Sequence, residues 1–228
     1  MRTHRERGKA GDSMSKAPRK SLQLEWDRVG GLSAPSKMPE WSTSTPASMC
    51  NVGTKLRDVK DSTCAGCYAF KRGNYRFQPV QDALMRRYDA VESETWVDDM
   101  TTLVLALVRA NFRWHDSGDI KNLKHLQNIV QVALNTPHIK HWLPTREYRV
   151  VAIYRQLYGE FPPNLAVRLS AHMVEGVAPS VGLPTSQVSE ELDKVTCPAT
   201  MPESDHKCHD CRACWNTSPD SNVVYYQH

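Results

Sequence analysis

The residues of this chain with the clearest chemical potential are four cysteines near its C-terminus. Cys208, Cys211 and Cys214 follow one another at two-residue gaps, and Cys197 opens the same segment in a Cys-Pro dipeptide. Two-residue gaps bring successive sulfurs to one side of a tight loop, and thiolates are the ligands that soft metals and iron–sulfur clusters select. C-x2-C-x2-C is also the spacing of ferredoxin loops around a cubane cluster, although there the Cys-Pro follows the run. The segment therefore predicts a metal site with four thiolates.

A second group of cysteines lies nearer the N-terminus. Cys50 is followed by Cys64 and Cys67, which gives three thiols and leaves the group one short of a closed site. The simpler interpretation is that Cys64 and Cys67 form a C-x2-C pair of redox or structural type and that Cys50 is a small buried apolar residue. At the C-terminal group the alternative is structural zinc, for which His206 or His209 could replace a thiol.

Composition limits the classes of protein to consider. The chain has 228 residues, of which 40% are hydrophobic and 24% charged, as is ordinary for a globular protein. Seven cysteines are too few, and odd in number, for a disulfide scaffold, and no apolar signal segment begins the chain. No run approaches the length needed to span a membrane. We therefore expect reduced cysteines that are free to bind metal.

The positive charge is concentrated at the N-terminus. The formal net charge is +4, yet residues 1–20 carry seven Lys or Arg against two acidic residues, a net of +5. Residues 1–34 have few aliphatic side chains, which predicts a disordered basic leader. Such a leader could contact nucleic acid or a host protein, or be solvated and without a partner.

Beyond the leader, short apolar strands alternate with amphipathic helices. Strands are predicted over 41–45, 112–115, 138–143, 165–170 and 223–226, and helices over 79–91 and after caps at Ser93, Asp119 and Thr145. This order is typical of parallel βα units. The predicted fold is α/β, a partial or irregular (β/α) barrel with parallel strands over 35–195, with a cysteine-rich metal-binding segment over 196–228 packed on it.

Polar residues follow several of these strands at the edge where parallel barrels gather their reactive groups. If the front cysteines lie on that face, thiolates, guanidiniums and imidazoles share a cleft that could bind a small anionic ligand. Taken singly, the same residues could be helix caps, surface ion pairs or core histidines. The seven candidates are Arg113, His115, Ser117, Asp119, Arg146, Arg168 and His172.

Four segments together resemble the phage "gene product 88-like" domain family. They are TCAGCYA at 63–69, RWHDSGD at 113–119, and the pair TCPA at 196–199 and KCHDCRACW at 207–215. The resemblance covers roughly 41–215. It implies a virus-encoded protein that acts in the cytoplasm of an infected bacterial host.

A more remote resemblance is to the radical S-adenosylmethionine enzymes, which also have a thiol triplet ending in Cys-x-x-Cys-Tyr after a first strand. It implies that Cys50, Cys64 and Cys67 hold a 4Fe-4S cluster, that residues 117–119 face S-adenosylmethionine, and that the C-terminal cysteines hold an auxiliary cluster. The chain departs from that superfamily, because thirteen residues instead of three separate Cys50 from Cys64.

The sequence thus favours an iron–sulfur protein with one or two clusters and, if it is an enzyme, radical chemistry of this type. The alternative is a non-catalytic binding module, stapled by zinc or a closed cluster, that contacts nucleic acid or a host protein.

Overall fold

A computed structural model describes residues 19–71 and 73–227. The described residues form one sheet of six parallel strands in the order β1 to β6, so that every strand pairs with its neighbour in sequence. The strands are β1 (Trp41–Ser42), β2 (Asn111–Arg113), β3 (Lys140–Thr145), β4 (Leu165–Ser170), β5 (Thr185–Ser189) and β6 (Asn222–Tyr226). This is a parallel half-barrel. The predicted α/β class and the partial barrel of parallel strands are therefore confirmed.

Seven α-helices accompany the strands in the described residues. Three of them, α5, α6 and α7, pack in sequence, α5 on α6 and α6 on α7. Parallel strands require such crossover helices, which cover the apolar face of the sheet. The helices are α1 (Gln23–Val29), α2 (Asn51–Leu56), α3 (Tyr68–Lys71), α4 (Gln78–Ala90), α5 (Trp96–Leu107), α6 (Leu123–Asn135) and α7 (Tyr148–Tyr158).

Alternation along the strands gives the sheet two different faces. Phe112, Leu143 and Leu169 belong to the hydrophobic core that also contains residues of α5 and α6. Their neighbours Arg113 and Trp142 point to the inner, concave face, where the guanidinium lies 4.4 Å from the indole centroid. Successive side chains of a strand point to opposite faces, so the same strands build the core and line the lumen.

The predicted disordered leader is wrong for residues 19–34. Helix α1 packs on α5, and Val29 and Leu32 are buried in the core. Trp26 also meets Trp41 edge to face at 5.9 Å, so this segment gains apolar burial that offsets its ordering entropy. Residues 1–18 of the predicted leader lie outside the described residues.

The predicted cap at Asp119 is also wrong. Helix α6 is capped by Asn122, whose side-chain oxygen accepts a hydrogen bond from the His125 N–H at 2.9 Å. Asp119 instead accepts from Thr145 Oγ1 at 2.6 Å and from the Arg146 N–H at 2.9 Å. It therefore joins the loops after β2 and β3, at the edge where the strands end.

The C-terminal segment is continuous with the half-barrel. Its last strand, β6, pairs with β5 over five residues. Ahead of that strand, the segment places Trp215 on the inner face, where the ring meets Trp142 at 5.2 Å and Nε1 donates to the Phe112 carbonyl at 2.9 Å. The cysteine run is thereby held against the lumen. No helix among the described residues is long and apolar enough to cross a membrane.

Candidate metal and ligand sites

The three front cysteines converge at the carboxyl ends of the first strands; we call them the front thiols. A Cβ atom built on Gly53 would lie 3.6 Å from the sulfur of Cys50 and 3.6 Å from that of Cys64. Cys67 is close enough to raise the pKa of both other thiols by charge repulsion. The missing side chain at Gly53 therefore leaves a small cradle between two sulfurs that are fourteen positions apart in the sequence.

The loop that carries Cys64 is fastened to the loop after β4. The Thr63 N–H donates to the His172 carbonyl at 2.9 Å, and the Thr63 hydroxyl reaches the Ala171 carbonyl at 3.1 Å. Ser62 and Met173 form an antiparallel bridge beside these bonds. Because strand ends hold both sides of the loop, the position of the Cys64 sulfur is set by the sheet and not by the loop alone.

Two carboxylates and one guanidinium surround the front thiols. Asp119 and Glu147 both act on Cys50, and Glu147 is fixed by the Val52 N–H at 2.9 Å. Arg146 Nε donates to Thr63 Oγ1 at 2.9 Å. Among the described residues, no hydrogen bond occupies the two terminal nitrogens of Arg146. The mouth thus presents anionic groups that favour a cation and one guanidinium with free donors.

Burial favours the protonated form of two of the front thiols, Cys50 and Cys64, when no metal is bound. It raises the pKa of Cys50, and the charges of Asp119, Cys67, Cys64 and Glu147 add to this effect. Burial also raises the pKa of Cys64, while Arg146 opposes the change. Since a metal binds thiolate and not thiol, metal binding here must displace protons.

The C-terminal cysteines share one cavity, which we call the C-terminal thiol site. The cavity is small, with a volume of about 20 Å³, and it opens partly to solvent. Its cysteines are held from several directions: the Cys197 N–H donates to the Val224 carbonyl at 3.0 Å and the Cys208 N–H to the Lys37 carbonyl at 2.9 Å. All four thiols, Cys197, Cys208, Cys211 and Cys214, line it.

Tyr225 supplies a polar contact inside the C-terminal thiol site. Its hydroxyl lies 3.3 Å from the Cys214 sulfur. Burial raises the pKa of Cys214 to about 11, although the hydrogen bond to Tyr225 and the charge of Arg168 act in the opposite direction. The proposed zinc substitutes are placed differently: His209 Nε2 pairs with Asp205 at 2.9 Å, and His206 Nδ1 lies 3.3 Å from the Ala199 carbonyl.

Arg168 holds this segment against the sheet instead of facing a ligand. It is fully buried, and its guanidinium donates to five carbonyls of β5 and the C-terminal segment and to the Ser221 hydroxyl. A guanidinium has five N–H donors, and all are engaged here. The sequence prediction that Arg168 binds an anionic ligand is therefore corrected. The carbonyls belong to Thr185, Ala213, Cys214, Asn216 and Ser221.

Three other predicted ligand residues are also used by the fold. The Ser117 hydroxyl donates to the Thr45 carbonyl at 2.9 Å. His115 packs against His125 of α6 at 5.3 Å, and burial lowers its pKa well below the usual range; neither ring nitrogen has a partner within the described residues. Arg113 is half-buried on the inner face, where it interacts with Tyr68 and Cys214.

The remaining three candidates do meet near the front thiols. Asp119 and Arg146 act directly on Cys64 through their charges. His172 Nε2 lies 3.1 Å from the Arg146 carbonyl, and its ring stacks on Tyr148 at 4.3 Å. These side chains therefore lie together where the strands end.

Residues that the sequence analysis missed complete both sites. Glu147 adds a second carboxylate to the front thiols, Gly53 leaves the cradle open, and Tyr225 enters the C-terminal thiol site. Glu147 could have been predicted as a site residue, because it directly follows Arg146 at a predicted strand end. Gly53 and Tyr225 could not have been predicted, since their role depends on contacts between distant parts of the chain.

In residues 19–71 and 73–227, no group of three or more His, Cys, Asp or Glu side chains is arranged to hold a metal ion. Four thiolates around one zinc at 2.3 Å must stand within roughly 4 Å of one another. In a cubane each thiolate binds its own iron, so the sulfurs stand farther apart. The distances between the sulfurs therefore distinguish the two kinds of site.

Comparison with protein families gives a match over most of the chain. The family model described as Gene product 88 matches residues 9–217 of the chain. Neither the curated proteins nor the solved structures include a significant match.

Proposed function

This chain belongs to the Gene product 88 family, and we propose that it is an iron–sulfur protein whose front thiols hold a four-iron cluster at the mouth of the half-barrel. The observation that carries the proposal is the cradle at Gly53, which keeps space between the sulfurs of Cys50 and Cys64. Three thiolates leave one iron of such a cluster without a protein ligand. That iron would be open to a small ligand from the mouth.

Arg146 supports the binding of an anionic group at that position. Its Nε is fixed by Thr63, which orients the guanidinium beside Cys64 and leaves its terminal nitrogens free for a carboxylate or phosphate. Glu147 lies on the Cys50 side, while Asp119 acts on both Cys50 and Cys64, and the two carboxylates favour a positively charged group. A zwitterion that carries both charges, as the methionine part of S-adenosylmethionine does, matches this arrangement. The cofactor, when bound, would supply radical chemistry after one-electron reduction of its sulfonium.

The C-terminal thiol site would hold a second, closed cluster. Four cysteines line one cavity, and the bonds from Arg168 tie the same segment to the sheet. The second candidate function is a binding module in which zinc at this site is only a structural staple. The same cavity favours it, because closed four-thiolate sites are typical of structural zinc.

Metal analysis of anaerobically purified protein separates the two functions. Two cubanes predict about eight irons per chain and absorbance near ~400 nm, while the staple predicts a colourless protein with about one zinc. Cys67→Ser should reduce the iron count to about four, because only the front thiols are affected. Zinc in place of iron would refute the proposal.

A pair of glycine variants tests the cradle itself. Gly53→Ala places a methyl group between the two sulfurs, 2.9 Å from the Cβ of Cys50, and should lower iron at the front thiols. Gly66→Ala is the matched control, since nothing lies within 4 Å of its Cβ although it stands between Cys64 and Cys67. Equal iron content in both variants would show that the cradle does not hold a cluster.

The ligand is tested separately by titrating the reduced protein with S-adenosylmethionine. A change in the spectrum of the cluster is expected in the parent protein and a weaker response in Arg146→Gln. A spectrum that stays the same in the parent, at full iron content, would leave the cluster in place and remove this ligand.

A further inference from the structure

A second surface beside the front thiols has no task in the proposed function. Three of the four strongly exposed aromatic side chains among the described residues lie between positions 68 and 77: Tyr68 is 48% exposed, Phe70 42% and Phe77 52%. The fourth, Tyr158, lies at the end of α7. Exposed aromatic side chains clustered on one short segment are typical of binding surfaces.

Positive charge is concentrated in the longer stretch of residues 47–77, which includes these three aromatic side chains. Residues 47–77 contain six Lys or Arg and two Asp, a net of +4, which equals the formal net charge of the whole protein. Lys55, Lys60 and Arg76 are exposed. We call Lys55, Arg57, Lys60, Tyr68, Phe70, Arg76 and Phe77 the aromatic–basic surface.

Cations and rings are paired within this surface. The Arg57 guanidinium lies 3.6 Å from the centroid of Phe70, and that of Arg76 lies 5.5 Å from the centroid of Phe77. Tyr68 meets Tyr75 edge to face at 5.8 Å. Since the rings of Phe70 and Phe77 remain partly exposed, both offer a flat apolar area next to a positive charge.

We propose that the aromatic–basic surface binds single-stranded nucleic acid. Unpaired bases stack on exposed rings, and the adjacent Lys and Arg neutralise the phosphates of the backbone. A duplex would use the charges but not the rings, because its bases are already stacked. An acidic peptide would likewise need the charges alone. The combination of rings and cations therefore selects the single strand.

This inference does not depend on the cysteines holding a metal. It also differs from a role for the basic leader, since no residue of the surface lies in 1–34. If the front thiols bind a cluster, the strand would pass close to it, because Tyr68 directly follows Cys67. The two proposals fail separately: loss of iron does not remove the rings, and loss of the rings does not remove iron.

Fluorescence anisotropy with a labelled oligothymidine of about twenty nucleotides tests the proposal on the full chain. Phe70→Ala and Phe77→Ala should each weaken binding by about fivefold or more, from the contribution of one stacked base. Arg76→Glu should weaken it too and reduce the salt dependence. The matched controls are Tyr158→Ala and Lys140→Glu, which change an exposed ring and an exposed charge elsewhere; both should bind as the parent does.

Three outcomes would overturn the inference. Equal affinity of the parent for oligothymidine and for a duplex of the same length would mean that the rings take no part. Unchanged binding in both phenylalanine variants would assign any affinity to the leader. Binding to vesicles of anionic lipid but not to oligothymidine would identify a membrane surface as the partner. Thermal melting of each variant, expected to match the parent because these side chains are exposed, shows that the fold is intact.

Discussion

Replacing Arg168 by Met should detach the C-terminal segment from the half-barrel. The guanidinium is fully buried and donates to carbonyls on both sides of the C-terminal thiol site, including those of Ala213 at 3.0 Å and Asn216 at 3.1 Å. It also reaches the Thr185 carbonyl at 2.5 Å and that of Ser221 at 3.0 Å. Methionine fills a similar volume but donates no hydrogen bond, so these acceptors would lose their partner inside the protein.

The size of the effect follows from the number of lost bonds. A hydrogen bond to a charged group contributes about 1.5–3 kcal/mol, and a buried acceptor left alone costs about 1–3 kcal/mol. Some of these carbonyls lie near solvent and can rebind water, so we count two or three full losses. The expected decrease in the free energy of unfolding is on the order of 5 kcal/mol, within the range of about 5–15 kcal/mol that stabilises a whole domain.

Urea unfolding monitored by tryptophan fluorescence measures this decrease, with Trp215 as a probe in the affected segment. Arg155→Met is the matched control: its guanidinium is partly exposed, pairs with Glu160 and donates to a single carbonyl, that of Val181 at 2.6 Å, so the variant should lose only about 1–3 kcal/mol. Arg168→Lys keeps the charge but has three donors, and should fall between the two. If Arg168→Met and Arg155→Met unfold at the same urea concentration, the anchoring role is wrong.

Two further predictions concern the strand ends and the core. Gly118→Ala should lower the free energy of unfolding by more than about 2 kcal/mol, because its Cβ would lie 2.0 Å from Thr45 Oγ1. Gly159 is the control, since it has a similar positive φ but open space around its Cβ. Gly159→Ala should therefore lower the melting temperature clearly less. Burial lowers the pKa of His125 and of His141 to about 3, below the value of about 6.5 in the unfolded chain. The two neutral histidines therefore do not reduce the free energy of unfolding above pH 6.5, but this free energy declines as the pH falls towards 3. Near pH 5 the decline is about 2–3 kcal/mol per pH unit. A urea midpoint that does not change between pH 7 and pH 5 would contradict this pH dependence.

The strands were predictable where both faces of the sheet are buried. Residues 165–170 read as a short apolar run, and β4 occupies those positions with all six residues buried. Strand β5 was missed because its sequence, TSQVS, is polar. It forms a strand because the Arg168 guanidinium and the Ser170 hydroxyl meet its polar groups, at 2.5 Å from the Thr185 carbonyl and 3.0 Å from the Ser186 hydroxyl. Such tertiary contacts are invisible to periodicity.

The candidate sites were predictable in their cysteines but less so in their charged residues. The spacing typical of metal-binding cysteines is seen within one short stretch of sequence, so Cys208, Cys211 and Cys214 could be grouped from the sequence alone. The role of an arginine depends on what surrounds it. Arg146 and Arg168 both follow the pattern of a polar residue on or after a strand, yet one retains free donors beside a thiol and the other is saturated by carbonyls. The sequence shows that each residue is an arginine, but only the fold shows how many hydrogen-bond acceptors surround its guanidinium.

The filling of the lumen also determines how the front thiols can be reached. Trp215 packs on Trp142, and Cys214 and Tyr225 lie beside Arg113, so side chains occupy the concave face that an open half-barrel would offer to a ligand. A ligand of the front thiols must therefore approach from the mouth, past the loops after the strands. The aromatic–basic surface belongs to one of those loops. A large substrate that reached the front thiols would contact it, and this places both proposals on the same side of the molecule.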